Sequence, residues 1–496
     1  MERLANSSQT APAASGSQLN ARPVSSFPKQ AIVVIHGMGE QTPMDTIKSF
    51  VRAVWETDAE ITANGLPNPA EVWSKPDVRT GSLELRRITT RESIKTDSFP
   101  HRVRSDFYEL YWADLSGRSS WSQVQDWVAG LLLRDPRTRV PPNLLPAWVL
   151  LWIAFLIVIA LAIASLLLRN APNRWLLAAA TVVLGTAMHR FIVPYFGRVV
   201  RYTRAKPDNI AARQKIRERG LTLLAELHKD EYERIIIVGH SLGCILAYDL
   251  ISYFWSFRQE SHTVEQGTQE FAALCELEET SAELSDQPPG PADQKLVNRF
   301  LKAQQALSHL LRLRPKPAEG KSDTRWLITD LVTLGSPLTH AEFLLANSKE
   351  DLGTRKAGRE FPTSPPVRED LDDSLLQQAQ AAGLPVKPER PQLFSFALGP
   401  DGRYWQLHHA APYAVVRWTN IFDPAREIFR GDIISGPLAP VFGPGIVDID
   451  LREVRGQSQG FTHTKYWDLE NSAKTVPPHI IELRKALNLA GQCREV

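Results

Sequence analysis

The chain has little cysteine. Only Cys244, Cys275 and Cys493 occur in 496 residues, widely spaced and without a C-x-x-C pair. This excludes a disulfide framework, and a reducing compartment suffices. Neither sign of charge dominates: the formal net charge of +2 gives no global reason to expect nucleic acid, so electrostatic arguments must be local. No clustered His and carboxylate spacing argues for a metal. The first thirty residues lack the apolar core of a secretory signal; they are small and polar, as in Asn6-Ser7-Ser8-Gln9-Thr10, and are read as a disordered tail over residues 1–29. The length admits several domains or one enlarged α/β domain carrying insertions.

What is present is organised around Gly239-His240-Ser241-Leu242-Gly243. The preceding Arg234-Ile235-Ile236-Ile237-Val238 is a β-branched apolar run suited to a strand buried on both faces, and Leu242, Ile245, Leu246 and Leu250 then recur at helical spacing. Ser241 therefore falls on a sharp strand-to-helix turn, with Gly239 and Gly243 as shoulders lacking bulk. This is the pattern of a nucleophile elbow. A serine held there projects its hydroxyl beyond the strand, and the helix N-terminus favours the negative charge that develops in acyl transfer. Cys244, inside the same helix, reads as a small core residue.

A second strand-glycine-helix pattern lies upstream. Ala31-Ile32-Val33-Val34-Ile35 runs into His36-Gly37-Met38-Gly39, after which Thr42 caps a helix with Pro43 at its first position and Ile47, Phe50, Val51, Val54 and Trp55 on one face. Gly37 lets the backbone approach the substrate, and the amides of Met38 and Leu242 are the expected oxyanion donors. Leu83–Ile88 and Phe107–Trp112 read as further strands, with Glu109 and Asp114 as solvated residues at the end of the second.

Ala147 to Leu168 contains 22 residues without a charge, with Ser165 as the only polar side chain. As a helix it rises about 33 Å, enough to cross a bilayer. A second apolar segment starts at Trp175 after the turn Arg169–Arg174. It is interrupted by Gly185, His189 and Arg190, so the alternatives are a transmembrane hairpin over residues 147–196 or a re-entrant second leg. Arg134, Arg137 and Arg139 before this region, and Arg198, Arg201, Arg204 and Lys206 after it, outweigh Arg169 and Arg174 in the turn; both outer flanks are thus expected to be cytoplasmic. The hairpin then inserts into one catalytic domain made of residues 30–146 and 197–496.

A basic amphipathic helix from Asp208 to His228 leads to the elbow. Two excursions follow, at about 259–325 and 349–392. The first carries many carboxylates, including Glu276, Glu278 and Glu279, and reads equally as a helical cap or a solvated excursion; the second is Pro-rich and reads as loop. Leu331–Leu334 is a buried strand closed by Gly335-Ser336-Pro337-Leu338. Val415–Phe422 is another and feeds two acids, Asp423 and Asp432. A last strand, Ile446–Asp450, precedes His463, and residues 480–487 form an amphipathic closing helix. Serine needs an imidazole to take its proton, and that imidazole needs a carboxylate to fix its tautomer. His463 is the expected imidazole, because His408 and His409 precede both acids. Asp432 is preferred over Asp423, since Asp423-Pro424 also reads as the start of a turn.

The chain order of oxyanion loop, Ser, acid and His is that of the α/β-hydrolases. The pieces Val34-Ile35-His36-Gly37-Met38-Gly39, the elbow, Thr333–Leu338, Trp418-Thr419-Asn420, Gly431–Pro437 and His463–Trp467 resemble the serine lipase and esterase branch of that superfamily, especially bacterial members anchored by a transmembrane hairpin. The resemblance implies an α/β-hydrolase fold with a mostly parallel central sheet, carboxylic-ester hydrolysis through an acyl-enzyme on Ser241, no cofactor and no metal. It implies as partners an ester or lipid substrate and a bilayer, and as location a bacterial inner membrane with the catalytic domain cytoplasmic. The other reading is a catalytically silent, hydrolase-derived membrane scaffold.

Overall fold

The structure is a computed structural model and describes residues 28–37, 42–82, 84–95, 102–115, 135, 145–168, 175–186, 207–288, 290–316, 323–425, 430–456, 460–469 and 476–491. The strands in chain order are β1 (Lys29–Ile35), β2 (Val72–Pro76), β3 (Arg86–Glu92), β4 (Arg104–Leu110), β5 (Tyr232–His240), β6 (Thr263–Glu265), β7 (Ile328–Leu334), β8 (Glu369–Asp370), β9 (Gln392–Leu393), β10 (Ser395–Leu398), β11 (Tyr404–Leu407), β12 (Arg417–Phe422) and β13 (Val447–Asp450). Eight of them form one sheet in the order β13-β12-β7-β5-β1-β4-β3-β2. The six strands from β13 to β4 are parallel, and β3 pairs antiparallel with both β4 and β2. The architecture is therefore α/β with a largely parallel central sheet flanked by helices.

The sheet's continuous apolar runs follow from its two covered faces. Ile35, Ile235 and Ile237 face a core built with the helices Pro207–Lys229, Leu242–Phe257 and Gln294–Arg312. Val34, Ile236 and Val238 face the opposite core with the helices Asp45–Val51 and Pro478–Leu487. Ile235, Ile236, Ile237 and Val238 are at most 1% exposed, each contributing about 2 kcal/mol of apolar burial. β1 is where the chain reverses direction across the sheet: β4 lies on one side of it and β5 on the other, and the helices that follow β1 and β5 cover opposite faces. In open parallel sheets the crevice at such a switch lies outside the carboxyl ends of the strands. The paired registers Ile35↔Gly239 and His240↔Leu334 place Gly37, Ser241 and Gly335 along that one edge.

Several expectations need correction. The strand expected at Leu83–Ile88 is Arg86–Glu92 and that at Phe107–Trp112 is Arg104–Leu110. The short strand β2, with Val72 and Trp73 followed by Ser74 and Lys75, carries no alternation that would have marked it. The helix expected from Thr42 begins at Asp45, because Met44 takes a left-handed backbone (φ 75°) and redirects the chain. Of Glu109 and Asp114 only the second is solvated: Glu109 is fully buried between the two covered faces, whereas Asp114 is exposed and accepts a two-pronged bond from Arg219.

The acidic excursion is an antiparallel helix pair, Gln269–Ser285 and Gln294–Arg312, which buries Leu274, Leu277, Phe300 and Leu307 in the main core. Thr268 and Asp293 cap the two N-termini. Glu278 is buried there and accepts bonds from the Phe394 and Ser395 amides and the Ser395 hydroxyl. The Pro-rich excursion is not all loop. It contains helices Lys349–Ala357 and Asp373–Ala382, started by side-chain caps from Ser348 and Asp372.

Among the described residues one helix is long and apolar enough to cross a membrane, Trp148–Leu167, and none of it is buried. The next apolar helix, Trp175–Thr186, is shorter, so the structure describes one candidate span rather than the expected hairpin; residues 187–196 lie outside the described residues.

Candidate active site

β5 ends at His240 and the helix Leu242–Phe257 starts two residues later, leaving Ser241 alone at the turn with φ 53° and ψ −127°. A non-glycine residue in this region costs about 1–3 kcal/mol and persists only where its surroundings impose it. The imposition comes from close packing. A Cβ on Gly239 would stand 2.7 Å from Cys244 Cα, and one on Gly243 would collide with the Ile35 carbonyl oxygen. Cys244 is buried, its thiol donating to the Gly239 carbonyl at 3.2 Å. The Leu242 amide is at the first position of the helix, beside Ser241.

Gly37 lies directly against Ser241, since a Cβ there would be 2.7 Å from Ser241 Cβ. Its position is set by His36, whose Nδ1–H donates to the Gly37 carbonyl at 2.8 Å while Nε2 accepts the Trp112 amide at 3.2 Å. The Trp112 indole donates to the His36 carbonyl at 3.0 Å and stacks on the imidazole. Of the two expected oxyanion donors only Leu242 is placed, because Met38 lies outside the described residues. Glu109 accepts the Met44 amide at 2.9 Å; burial outweighs that bond and pushes its carboxyl up to about 7.

Three residues from distant parts of the chain meet at Ser241. His463 Nε2 is 2.8 Å from Ser241 Oγ, and His463 Nδ1 is 2.9 Å from Asp432 Oδ2. With Nδ1–H donated to the carboxylate, Nε2 is left to accept the serine proton. Asp432 is fully buried, which opposes ionisation. His463, together with the bonds from Tyr466 and the Ile434 amide, outweighs burial and holds the carboxyl below the ordinary carboxylate range. The two candidate acids are neighbours, the Asp432 amide donating to the Asp423 carbonyl at 2.7 Å, but they serve different partners. Asp423 Oδ2 accepts from Arg455 and from the Thr462 hydroxyl, each at 2.7 Å, and so secures the chain just before His463. His408 is bonded elsewhere, to the Val367 carbonyl and the Ala410 amide.

The short pieces around the sheet brace the loop that carries Asp432. Trp418 donates to Thr333 Oγ1, whose hydroxyl donates to Asn420 Oδ1 at 3.0 Å. The Asn420 amide group donates to the Gly436 carbonyl and to Asp448, and Asp448 accepts the Leu438 and Ala439 amides. Strand ends are thus stitched to the loop that follows Asp432. Gly335 (φ 60°) makes room for this assembly: a Cβ there would lie 2.6 Å from the Tyr466 ring and 3.1 Å from Asp432 Oδ2.

Sequence reasoning missed Tyr466, Ser435, Gly335 and His240. His240, on the shoulder of the elbow, donates Nε2–H to the His463 carbonyl at 2.7 Å; burial pushes its imidazole down to about 3, so it stays neutral. No spacing rule announces these residues. Glu109 did leave a signal, because an acid inside a strand covered on both faces has no solvent to reach. Among the described residues no group of three or more His, Cys, Asp or Glu side chains could hold a metal ion. No family model, curated protein or solved structure matches the chain.

Proposed function

We propose that the protein is a serine hydrolase of the α/β-hydrolase type that cleaves carboxylic esters through an acyl-enzyme on Ser241. The observation that carries the reading is the continuous Ser241–His463–Asp432 chain, at 2.8 and 2.9 Å, with the serine strained at a strand-to-helix turn. In this mechanism His463 takes the Ser241 proton as Oγ attacks the ester carbonyl. The Leu242 amide and the N-terminus of its helix stabilise the oxyanion, and His463 returns the proton to the leaving alcohol. Water then repeats the sequence on the acyl-enzyme. A scaffold with a silent pocket would have no need of an aligned, strained and desolvated triad, which favours the enzyme.

We further infer that the chain is membrane-anchored and that lipid esters are among its substrates. A core helix of a soluble protein as apolar as Trp148–Leu167 would be buried, whereas none of the described residues of this one is. The arginine-rich outer flanks favour a cytoplasmic catalytic domain at a bacterial inner membrane. A fluorophosphonate probe tests the chemistry: it is expected to label the native protein at Ser241 and to leave folded Ser241→Ala unlabelled. Labelling of the variant at another catalytic serine would overturn the assignment.

A further inference from the structure

Asp432 Oδ2 has two lone-pair directions, and both are used. One receives His463 Nδ1–H at 2.9 Å; the other receives the Tyr466 hydroxyl at 2.8 Å. Oδ1 accepts the Ile434 amide at 2.9 Å. The hydroxyl of Tyr466 lies 3.0 Å from Ser435 Oγ, and Ser435 Oγ accepts the Asp423 amide at 3.4 Å. Because the tyrosine proton is committed to Asp432, Ser435 must donate to the tyrosine oxygen. The bonds then run in one direction, from the Asp423 amide through Ser435 and Tyr466 to the triad carboxylate, each polarising the next. The ring is buried, and Gly335 leaves the space it occupies.

We propose that Tyr466 is a positioning residue of the triad, holding the Asp432 carboxylate in the plane that His463 needs and dispersing part of its charge. The proposal rests on the hydrolase reading and deepens it. Rotation of the carboxylate would break three bonds at once, so the oxygen facing His463 cannot wander. The second donor on Oδ2 also weakens the hold of Asp432 on the imidazolium, easing return of the proton to the leaving group. A tyrosine serving packing alone has no reason to spend its hydroxyl on the triad's own acid. The other titratable groups facing the Asp432–His463 pair are His240, His340 and Cys244, with the Asp423–Arg455 pair behind them. Burial pushes His240 down to about 3, His340 down to about 4 and the Cys244 thiol up to about 12, so none of the three titrates near neutrality.

The test is Tyr466→Phe, which keeps the ring and removes only the hydroxyl, read by the pH dependence of fluorophosphonate labelling of Ser241 in the full chain. Loss of a donor from the carboxylate strengthens its attraction for the imidazolium. The acid limb of the labelling rate is therefore expected to move up by about half to one pH unit, and the maximum rate to fall about 3- to 10-fold. An unmoved limb with a maximum rate within about twofold of the native protein would overturn the proposal, whatever happened to the melting temperature. If the variant does not fold, Ser435→Ala, which leaves the Tyr466–Asp432 bond in place but unpolarised, is expected to move the limb in the same direction by less; no movement would overturn it. If the native protein is not labelled at all, the hydrolase reading falls separately. The low-field resonance of the proton between His463 and Asp432 then decides on Tyr466 without turnover: displacement in Tyr466→Phe upholds its role and an unchanged resonance refutes it.

Discussion

Replacing each of the two neighbouring acids by asparagine separates chemistry from stability within one loop. In Asp432→Asn the group opposite His463 Nδ1 can present an N–H, which favours the imidazole tautomer whose proton sits on Nε2, facing Ser241. The serine hydroxyl then has no acceptor, although the 2.8 Å contact survives. Loss of the correct tautomer in a serine triad costs about four orders of magnitude in turnover, or about 5.5 kcal/mol in the barrier. In Asp423→Asn the 2.7 Å bond from the Thr462 hydroxyl can persist, but Arg455, whose side chain is 14% exposed, loses its partner carboxylate. Removing one member of so shielded a pair costs about 2–3 kcal/mol of stability, with little effect on the chemistry of the folded fraction. Turnover on a soluble activated ester and thermal melting, measured on both variants, give the two readouts. Asp432→Asn is expected to be nearly inactive with a small change in melting temperature, and Asp423→Asn active with a melting temperature several degrees lower. Normal turnover in Asp432→Asn together with lost turnover in Asp423→Asn would refute the assignment.

Glu109 ties stability to pH. Its folded value of about 7 lies above its ordinary 4.5, so the folded state binds more protons between these values, and stability falls as pH rises through that window and levels off above it. Glu109→Gln is expected to abolish that slope, so the stability difference between variant and native protein should change by about 3 kcal/mol between pH 4.5 and 7.5 in denaturant titrations, whatever constant offset the amide introduces; parallel curves would refute it. For the anchor, reporter fusions at both termini are expected to report cytoplasm and a fusion in the Arg169–Arg174 turn the opposite side; termini on opposite sides would exclude a second spanning leg.

The sequence alone determined what is local in this protein. A β-branched run before Gly239 and an apolar helical stripe after Ser241 specify a strand, a turn and a helix whatever the rest of the chain does, because these patterns reflect burial on two faces and on one. The same holds for β1 with its glycine turn, and for the uncharged helix at residues 147–168. Where local signals compete, the reading was weaker. Thr268 and Asp293 are N-cap residues in a stretch whose charge leaves a helical cap and a solvated excursion equally open, and Ser348 and Asp372 are N-cap residues in a stretch whose proline content points to loop. The sequence ranks Asp432 above Asp423 only through the turn that Asp423-Pro424 starts; that an Asp432 oxygen meets His463 Nδ1 while Asp423 meets Arg455 is a matter of tertiary structure. The tertiary structure also decided that Glu109 is buried, that Gly335 clears a space and that the Tyr466 hydroxyl bonds Asp432. Each of these depends on contacts between segments tens to hundreds of residues apart. Hydrogen-bond geometry acts over about 3 Å in space, and no spacing along the chain encodes it.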